Sequence, residues 1–124
     1  MNAMLWFVQV VLALLFVAVG FMKVRGTKDQ LLIGLPWVAD FGPGTLHVIG
    51  GAEILGAICL LLPAIVALPG WLIPTAAIGL AVVMVGAVFT HLRRKEYPSV
   101  LLTAAALGLA IFVAWGRLAV PLHR

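Results

Sequence analysis

Four long apolar stretches, separated by short polar or Pro- and Gly-containing connections, run along the chain at about 3–23, 46–67, 71–92 and 99–120. A helix rises about 1.5 Å per residue, so about 20 apolar residues match a hydrocarbon core about 30 Å thick. The pattern therefore predicts an all-α fold, a bundle of four transmembrane helices that forms a single domain over residues 1–124.

The connection between the first two stretches carries a further apolar segment, from Leu31 to Phe41, which is too short to span a membrane. It contains Trp37, and Trp is enriched at membrane–water interfaces. We expect this segment to lie on the interface or to re-enter the bundle shallowly. The next connection, with Pro69 and Gly70, is so short that the second and third helices must be antiparallel neighbours.

Composition indicates lipid as the main solvent of the protein surface. The chain is 65% hydrophobic and 10% charged, with a mean hydropathy of +1.23, whereas soluble domains have about 45–50% apolar and about 25% charged residues. The pI is about 10.0, but the basic residues form no stripe with aromatic stacking partners, so a nucleic-acid partner is not expected.

The basic residues instead predict topology. The first and third connections carry six of them, which are Lys23, Arg25, Lys28, Arg93, Arg94 and Lys95. The two others, Arg117 and Arg124, fall on the opposite side of the membrane in a four-helix arrangement. Since cytoplasmic loops are enriched in Lys and Arg, we expect a multi-pass protein of the cell membrane with both termini outside.

The polar residues inside the spans are the candidates for chemistry. Glu53 lies about eight residues into the second helix, and a carboxylate at that depth costs several kcal/mol unless it is paired or protonated. Lys23 of the first helix is the natural partner, and His91 and His47 are expected in the same layer. We take Glu53, Lys23, His91 and His47 as candidates for ligand binding or proton handling.

Other interpretations of this layer stay open at the level of sequence. One alternative is that Lys23 and Glu53 form a structural ion pair that sets the register of the bundle. Another is that Glu53 is protonated and has no partner. No metal site is expected, because His47 and Glu53 are six residues apart, unlike the four-residue spacing of paired helical ligands. Haem ligation by His47 or His91 rests on the imidazole alone.

Arg117 and Gln9 are polar candidates in the opposite, outer half of the bilayer. Arg117 is typical of an interfacial anchor that reaches headgroups, or alternatively of a polar cap on an outward-opening cavity, and Gln9 is placed to share a hydrogen bond with it. Cys59 is the only cysteine, and a dithiol cycle needs two. No catalytic motif is present, so the sequence names no catalytic residue and does not decide whether the protein is an enzyme.

Small residues spaced four or seven apart predict faces where helices approach closely. These are Ala52 and Gly56, Gly79 and Gly86, and Ala104 and Gly108.

Several segments, in their order and spacing, resemble the DoxX-like family of small four-helix membrane proteins. They are FVAVGFMK ending at Lys23, IGGAEILGA around Glu53 followed by LLLP, GAVFTHLRR around His91, and Gly116-Arg117. The resemblance implies an inner-membrane protein related to subunits of sulfur, thiol and quinone-linked redox systems, with Lys23, Glu53 and His91 as the recurring polar positions.

Three functions follow as hypotheses. The first is a redox-associated membrane subunit that binds a lipophilic small molecule such as a quinone, with Glu53 and His91 handling protons. The second is a non-enzymatic binding or transport module, which would have to oligomerise because four helices are few for a transporter. The third is an accessory or assembly factor. We expect the partners to be lipid and either a second copy of the chain or another membrane subunit.

Overall fold

The computed structural model describes residues 2–27, 29, 35–66 and 68–120. Its long helices are α1 (Asn2–Arg25), α2 (Pro43–Ile65), α3 (Leu72–Arg93) and α4 (Tyr97–Ala119), and a short 3-10 helix, η1 (Pro36–Asp40), precedes α2. All four long helices are long and apolar enough to cross a membrane. The predicted all-α bundle of four transmembrane helices is confirmed.

The helix ends differ from the predicted bounds by two or three residues at several places. The second helix begins at Pro43 instead of residue 46, since a proline in the first turn lacks only an N–H that would have no partner within the helix. It ends at Ile65, because Val66 is extended with ψ 149°. The fourth helix begins at Tyr97, two residues early, again with a proline in its first turn.

The four helices form a ring in chain order. Helix α1 packs most closely on α2, and α3 packs most closely on α4, while α2 and α3 are joined through the turn at Pro69 and Gly70. Helices α1 and α4, the first and the last, are the most loosely packed neighbours in this ring. We call the end where α1 and α3 finish the Lys23 end, and the opposite end the Arg117 end.

The interior and the outer surface of the bundle are both apolar. Leu12, Phe16 and Leu60 are fully buried in one core cluster, whereas Phe7 and Leu101 are among many large apolar side chains that point outward. A soluble protein does not carry such a surface, so the outward side chains fit contact with lipid.

Helices α1 and α2 cross in direct backbone contact at Gly20 and Gly50. A Cβ atom on Gly20 would lie 2.7 Å from the Gly50 carbonyl oxygen, and a Cβ atom on Gly50 would lie 2.7 Å from the Gly20 carbonyl oxygen. Only glycine at both positions allows this approach, which is the usual way for membrane helices to associate without a hydrophobic driving force.

The small-residue faces predicted from spacing are only partly used. Gly56 does pack closely, since an added Cβ atom would lie 2.8 Å from Leu80 Cδ2. Added Cβ atoms on Gly79, Gly86 and Gly108 would meet no atom within 4 Å, so for these three glycines the prediction was wrong within the described bundle.

Candidate functional site

An ion pair joins α1 and α2 inside the Lys23 end of the bundle. The Lys23 ammonium donates to Glu53 Oε1 at 2.5 Å. Both residues lie three positions beyond the glycines of the crossing, Gly20 and Gly50, so the close backbone approach brings the two side chains together. Glu53 is 0% exposed, and its second oxygen, Oε2, has no hydrogen-bond partner in the described part of the chain.

The 3-10 helix η1 covers this ion pair. The ring of Trp37 lies with its centroid 5.2 Å from Lys23 Nζ, within the range of a cation–π contact. Trp37 also meets the rings of Phe41 and His91 edge-on, at centroid distances of 5.7 and 6.0 Å. The described part of the predicted interfacial segment therefore closes over the end of the bundle, while its first residues, 31–34, lie outside the described residues.

His91 is held in place by the turn that ends α3. Lys95 takes a left-handed conformation with φ 59°, and the Glu96 N–H donates to the His91 carbonyl oxygen at 2.9 Å. A second bond runs from the Lys95 N–H to the Leu92 carbonyl oxygen at 3.1 Å, which completes a Schellman motif with lysine where glycine is usual. The turn places Glu96 Oε1 2.8 Å from His91 Nδ1.

Glu96 is a candidate that sequence reasoning missed. Its hydrogen bond with His91, aided by Arg94 and opposed by partial burial, holds the pKa of the Glu96 carboxyl below its ordinary value. The signal in the sequence is a single acidic residue directly after a basic helix end, five positions beyond His91. That signal is weak, because an acid in such a loop is usually solvated.

These groups line one end of a cavity of about 700 Å³ inside the bundle. Its polar groups come from α1, α2, α3 and the start of α4: Lys23, Glu53, Thr90, His91, Glu96, Ser99 and Thr103. The remaining wall is almost entirely apolar and reaches Ala106, near the middle of α4. The cavity therefore occupies the half of the bundle at the Lys23 end, and its ionisable side chains lie toward that end.

Several apolar side chains in the cavity wall are also exposed on the outer surface of the bundle. The wall includes Leu15 of α1, 43% exposed, and Leu102 of α4, 73% exposed, which belong to the two most loosely packed neighbouring helices. Phe89 of α3 is a third exposed apolar side chain on its rim.

The structure brings three of the four candidates together and leaves one out. Lys23, Glu53 and His91 line the cavity, but His47 is exposed and does not. Six residues along a helix correspond to a rotation of about 120° away from the starting direction, so His47 and Glu53 share a helix but not a face.

A second polar cluster lies at the Arg117 end. Arg117 is 2% exposed, and its guanidinium donates through Nε to Gln9 Oε1 at 2.5 Å and through Nη1 to Asn2 Oδ1 at 2.7 Å. The guanidinium also lies 5.0 Å from the centroid of the Trp6 ring. Gln9 in turn donates to the Leu60 carbonyl oxygen at 2.8 Å. Arg117 is therefore turned into the bundle and ties α4 to α1, rather than reaching outward as an interfacial anchor does.

Within the described residues, no three His, Cys, Asp or Glu side chains are grouped closely enough to hold a metal ion. Cys59 is partly buried in the middle of α2.

Comparison with known proteins identifies one family. A family model described as the DoxX-like family matches residues 7–113, which cover most of the four helices and all the polar groups of the cavity. No curated protein and no solved structure gives a significant match. The resemblance read from the sequence is confirmed.

Proposed function

The chain belongs to the DoxX-like family, and on that premise we propose that it is a redox-associated membrane subunit whose cavity binds a lipophilic small molecule such as a quinone. The observation that carries this proposal is the cavity itself, about 700 Å³ in volume, with charged groups at one end and exposed apolar side chains in its wall. Small-molecule sites typically have about 300–1,000 Å³ and a mostly apolar wall with a few polar groups that orient the ligand.

In this proposal the polar end holds the ring of the ligand and the apolar part holds its tail. Lys23 is placed to donate to a ring oxygen, and Glu53 is placed to accept from a ring hydroxyl, because both line the cavity. A bound quinone supplies two-electron, two-proton redox chemistry, and His91 with Glu96 handles the protons. Glu96 suits the end of a proton path that meets the aqueous phase, because it lies in the connection beyond α3 and its side chain is 22% exposed.

The test is saturable binding with a matched pair of histidine variants. The protein is purified in mild detergent, its lipophilic contents are identified by mass spectrometry, and binding of a short-chain benzoquinone is followed by tryptophan fluorescence. We expect His91→Asn to weaken binding and His47→Asn to bind like the wild type, since only His91 lines the cavity. Absence of both a copurified lipophile and saturable binding would contradict the proposal, as would equal affinities of the two variants.

A second candidate function is that of an accessory or assembly factor, in which the ion pair is purely architectural. The position of the pair next to the contact of Gly20 with Gly50 favours this candidate, because the ion pair then reinforces the crossing of α1 and α2. Under it, Glu53→Gln changes stability but leaves cellular function intact. Loss of function in a variant that folds normally would exclude it.

Association stays a prediction for either function. Crosslinking in native membranes should show a second copy of the chain or another membrane subunit, and detection of the monomer alone would exclude a role in transport.

We also propose that the protein lies in an inner membrane with both termini on the side away from the cytoplasm, because the first and third connections carry most of the basic residues. In a Cys59→Ala background, Gly70→Cys should react with a membrane-impermeant thiol reagent added from outside. Lys95→Cys should react only after permeabilisation. The reverse pattern would invert the topology.

A further inference from the structure

One buried oxygen at the polar end of the cavity is left without a partner. Glu53 Oε1 accepts from Lys23, but Oε2 has no partner among the described residues, although Glu53 is fully buried and forms part of the cavity wall. Buried polar atoms are rarely left in this state.

Two threonine side chains of the cavity also present acceptors. Thr90 Oγ1 donates its proton to the Gly86 carbonyl oxygen at 2.9 Å, and Thr103 Oγ1 donates to the Ser99 carbonyl oxygen at 2.8 Å. A hydroxyl has one proton, so each of these oxygens offers a ligand only its lone pairs. Glu53 Oε2 is the acceptor in the cavity wall that has no partner among the described residues, although the wall also carries the donors of Lys23, Trp37 and Ser99.

No described residue donates to Glu53 Oε2, so a donor group on a ligand in the cavity would supply the missing hydrogen bond. A carbonyl oxygen of a quinone can accept from Lys23 but cannot donate to Glu53, whereas a ring hydroxyl can do both. Oxidised and reduced rings of otherwise equal shape thus differ in whether Oε2 is satisfied. With a quinone bound, Oε2 stays a buried charged acceptor without a partner, and such an atom costs the full desolvation penalty of the group.

We propose that the cavity selects a lipophilic ring that bears phenolic hydroxyl groups, so that it binds a hydroquinone in preference to the corresponding quinone. This inference rests on the proposed function, because it specifies the redox state of the ligand for the same cavity. One hydrogen bond to a charged, buried acceptor corresponds to a difference of about tenfold or more in affinity.

The test compares three ligands on the full-length wild-type protein in lipid nanodiscs under anaerobic conditions. They are a short-chain benzohydroquinone, the matching benzoquinone, and the dimethyl ether of the hydroquinone, which keeps the ring oxygens but loses both donors. We expect the hydroquinone to bind about tenfold or more tightly than the other two. Equal or tighter binding of the quinone or the ether would overturn the selectivity and leave the proposed binding function standing. Failure of all three ligands to bind would overturn both.

The variant Glu53→Gln supplies a test by change of sign. Lys23 still donates to the amide oxygen, and the amide NH₂ replaces the free acceptor with a donor. We expect this variant to prefer the quinone, and His47→Asn, a change outside the cavity, to keep the preference of the wild type. A Glu53→Gln protein that folds and still prefers the hydroquinone would overturn the inference. The comparison of ligands on the wild type does not depend on whether this variant folds.

Discussion

The substitution Gly20→Ala tests the crossing on which the ion pair and the cavity depend. The added Cβ atom would lie 2.7 Å from the Gly50 carbonyl oxygen, 2.8 Å from Ile54 Cγ1 and 3.3 Å from Glu53 Cβ. The Ile54 side chain can turn away, but the Gly50 oxygen belongs to the backbone of α2 and moves only with the helix.

The expected loss of stability follows from these distances. An ordinary contact of a Cβ atom is 3.4–4 Å long, so the 2.7 Å contact with the Gly50 oxygen requires α1 and α2 to separate by roughly 0.7 Å or more at the crossing. Forcing an extra methyl group into a packed interface typically costs about 1–3 kcal/mol. Because Lys23 and Glu53 each lie three residues from the crossing, the same movement lengthens their 2.5 Å ion pair, so we expect a loss toward the upper part of that range.

The free energy of unfolding can be measured by titration of the protein with SDS in mixed micelles. The matched control is Gly51→Ala, on α2 directly after Gly50, where an added Cβ atom meets nothing within 4 Å. The control should change the free energy of unfolding by less than about 0.5 kcal/mol. If Gly20→Ala is as stable as Gly51→Ala, then α1 and α2 do not cross in backbone contact and the account of the ion pair fails with it.

Two further predictions concern the polar groups at either end. Arg117→Lys should lower the free energy of unfolding by about 1–3 kcal/mol, because an ammonium cannot reproduce the three directed bonds of the guanidinium to Gln9, Asn2 and the Val120 carbonyl oxygen. The exposed Arg25→Lys should be neutral, and equal effects of the two substitutions in the same titration would contradict the structural role of Arg117. The lowered pKa of the Glu96 carboxyl means that its contact with His91 stabilises the fold above the ordinary glutamate pKa of about 4.3, and that this stabilisation is lost as the pH falls through the lowered value. The melting temperature should therefore fall less steeply for Glu96→Gln than for the wild type as the pH is lowered from neutral to acidic. Superimposable profiles of melting temperature against pH would refute this.

Several residues show where a one-dimensional pattern stops being informative. Lys23, Glu53 and His91 could be predicted as a layer, because the distance along a helix sets the depth of a residue in the bilayer. His47 belongs to the same layer by that measure, yet it lies outside the cavity, since rotation about the helix axis depends on which neighbours the helix packs against. Glu96 was missed because its position beside His91 depends on the turn at Lys95.

The glycines and Arg117 show the same limit. Spacing predicted Gly79 with Gly86 as a packing face, but the close approach is made by Gly20 and Gly50, which lie on different helices and have no shared spacing in the sequence. A basic residue near a helix end resembles an interfacial anchor. Arg117 is instead buried because Gln9 and Asn2, more than a hundred residues earlier in the chain, supply its partners.

Length and hydropathy were enough to establish the four spans, because the thickness of a membrane and the rise of a helix leave one solution for a chain of this composition. The energetic penalty on a buried charge was enough to single out Glu53. The contacts between side chains, and the shape and lining of the cavity, depend on the mutual rotation and separation of the helices. Only the packed bundle determines these.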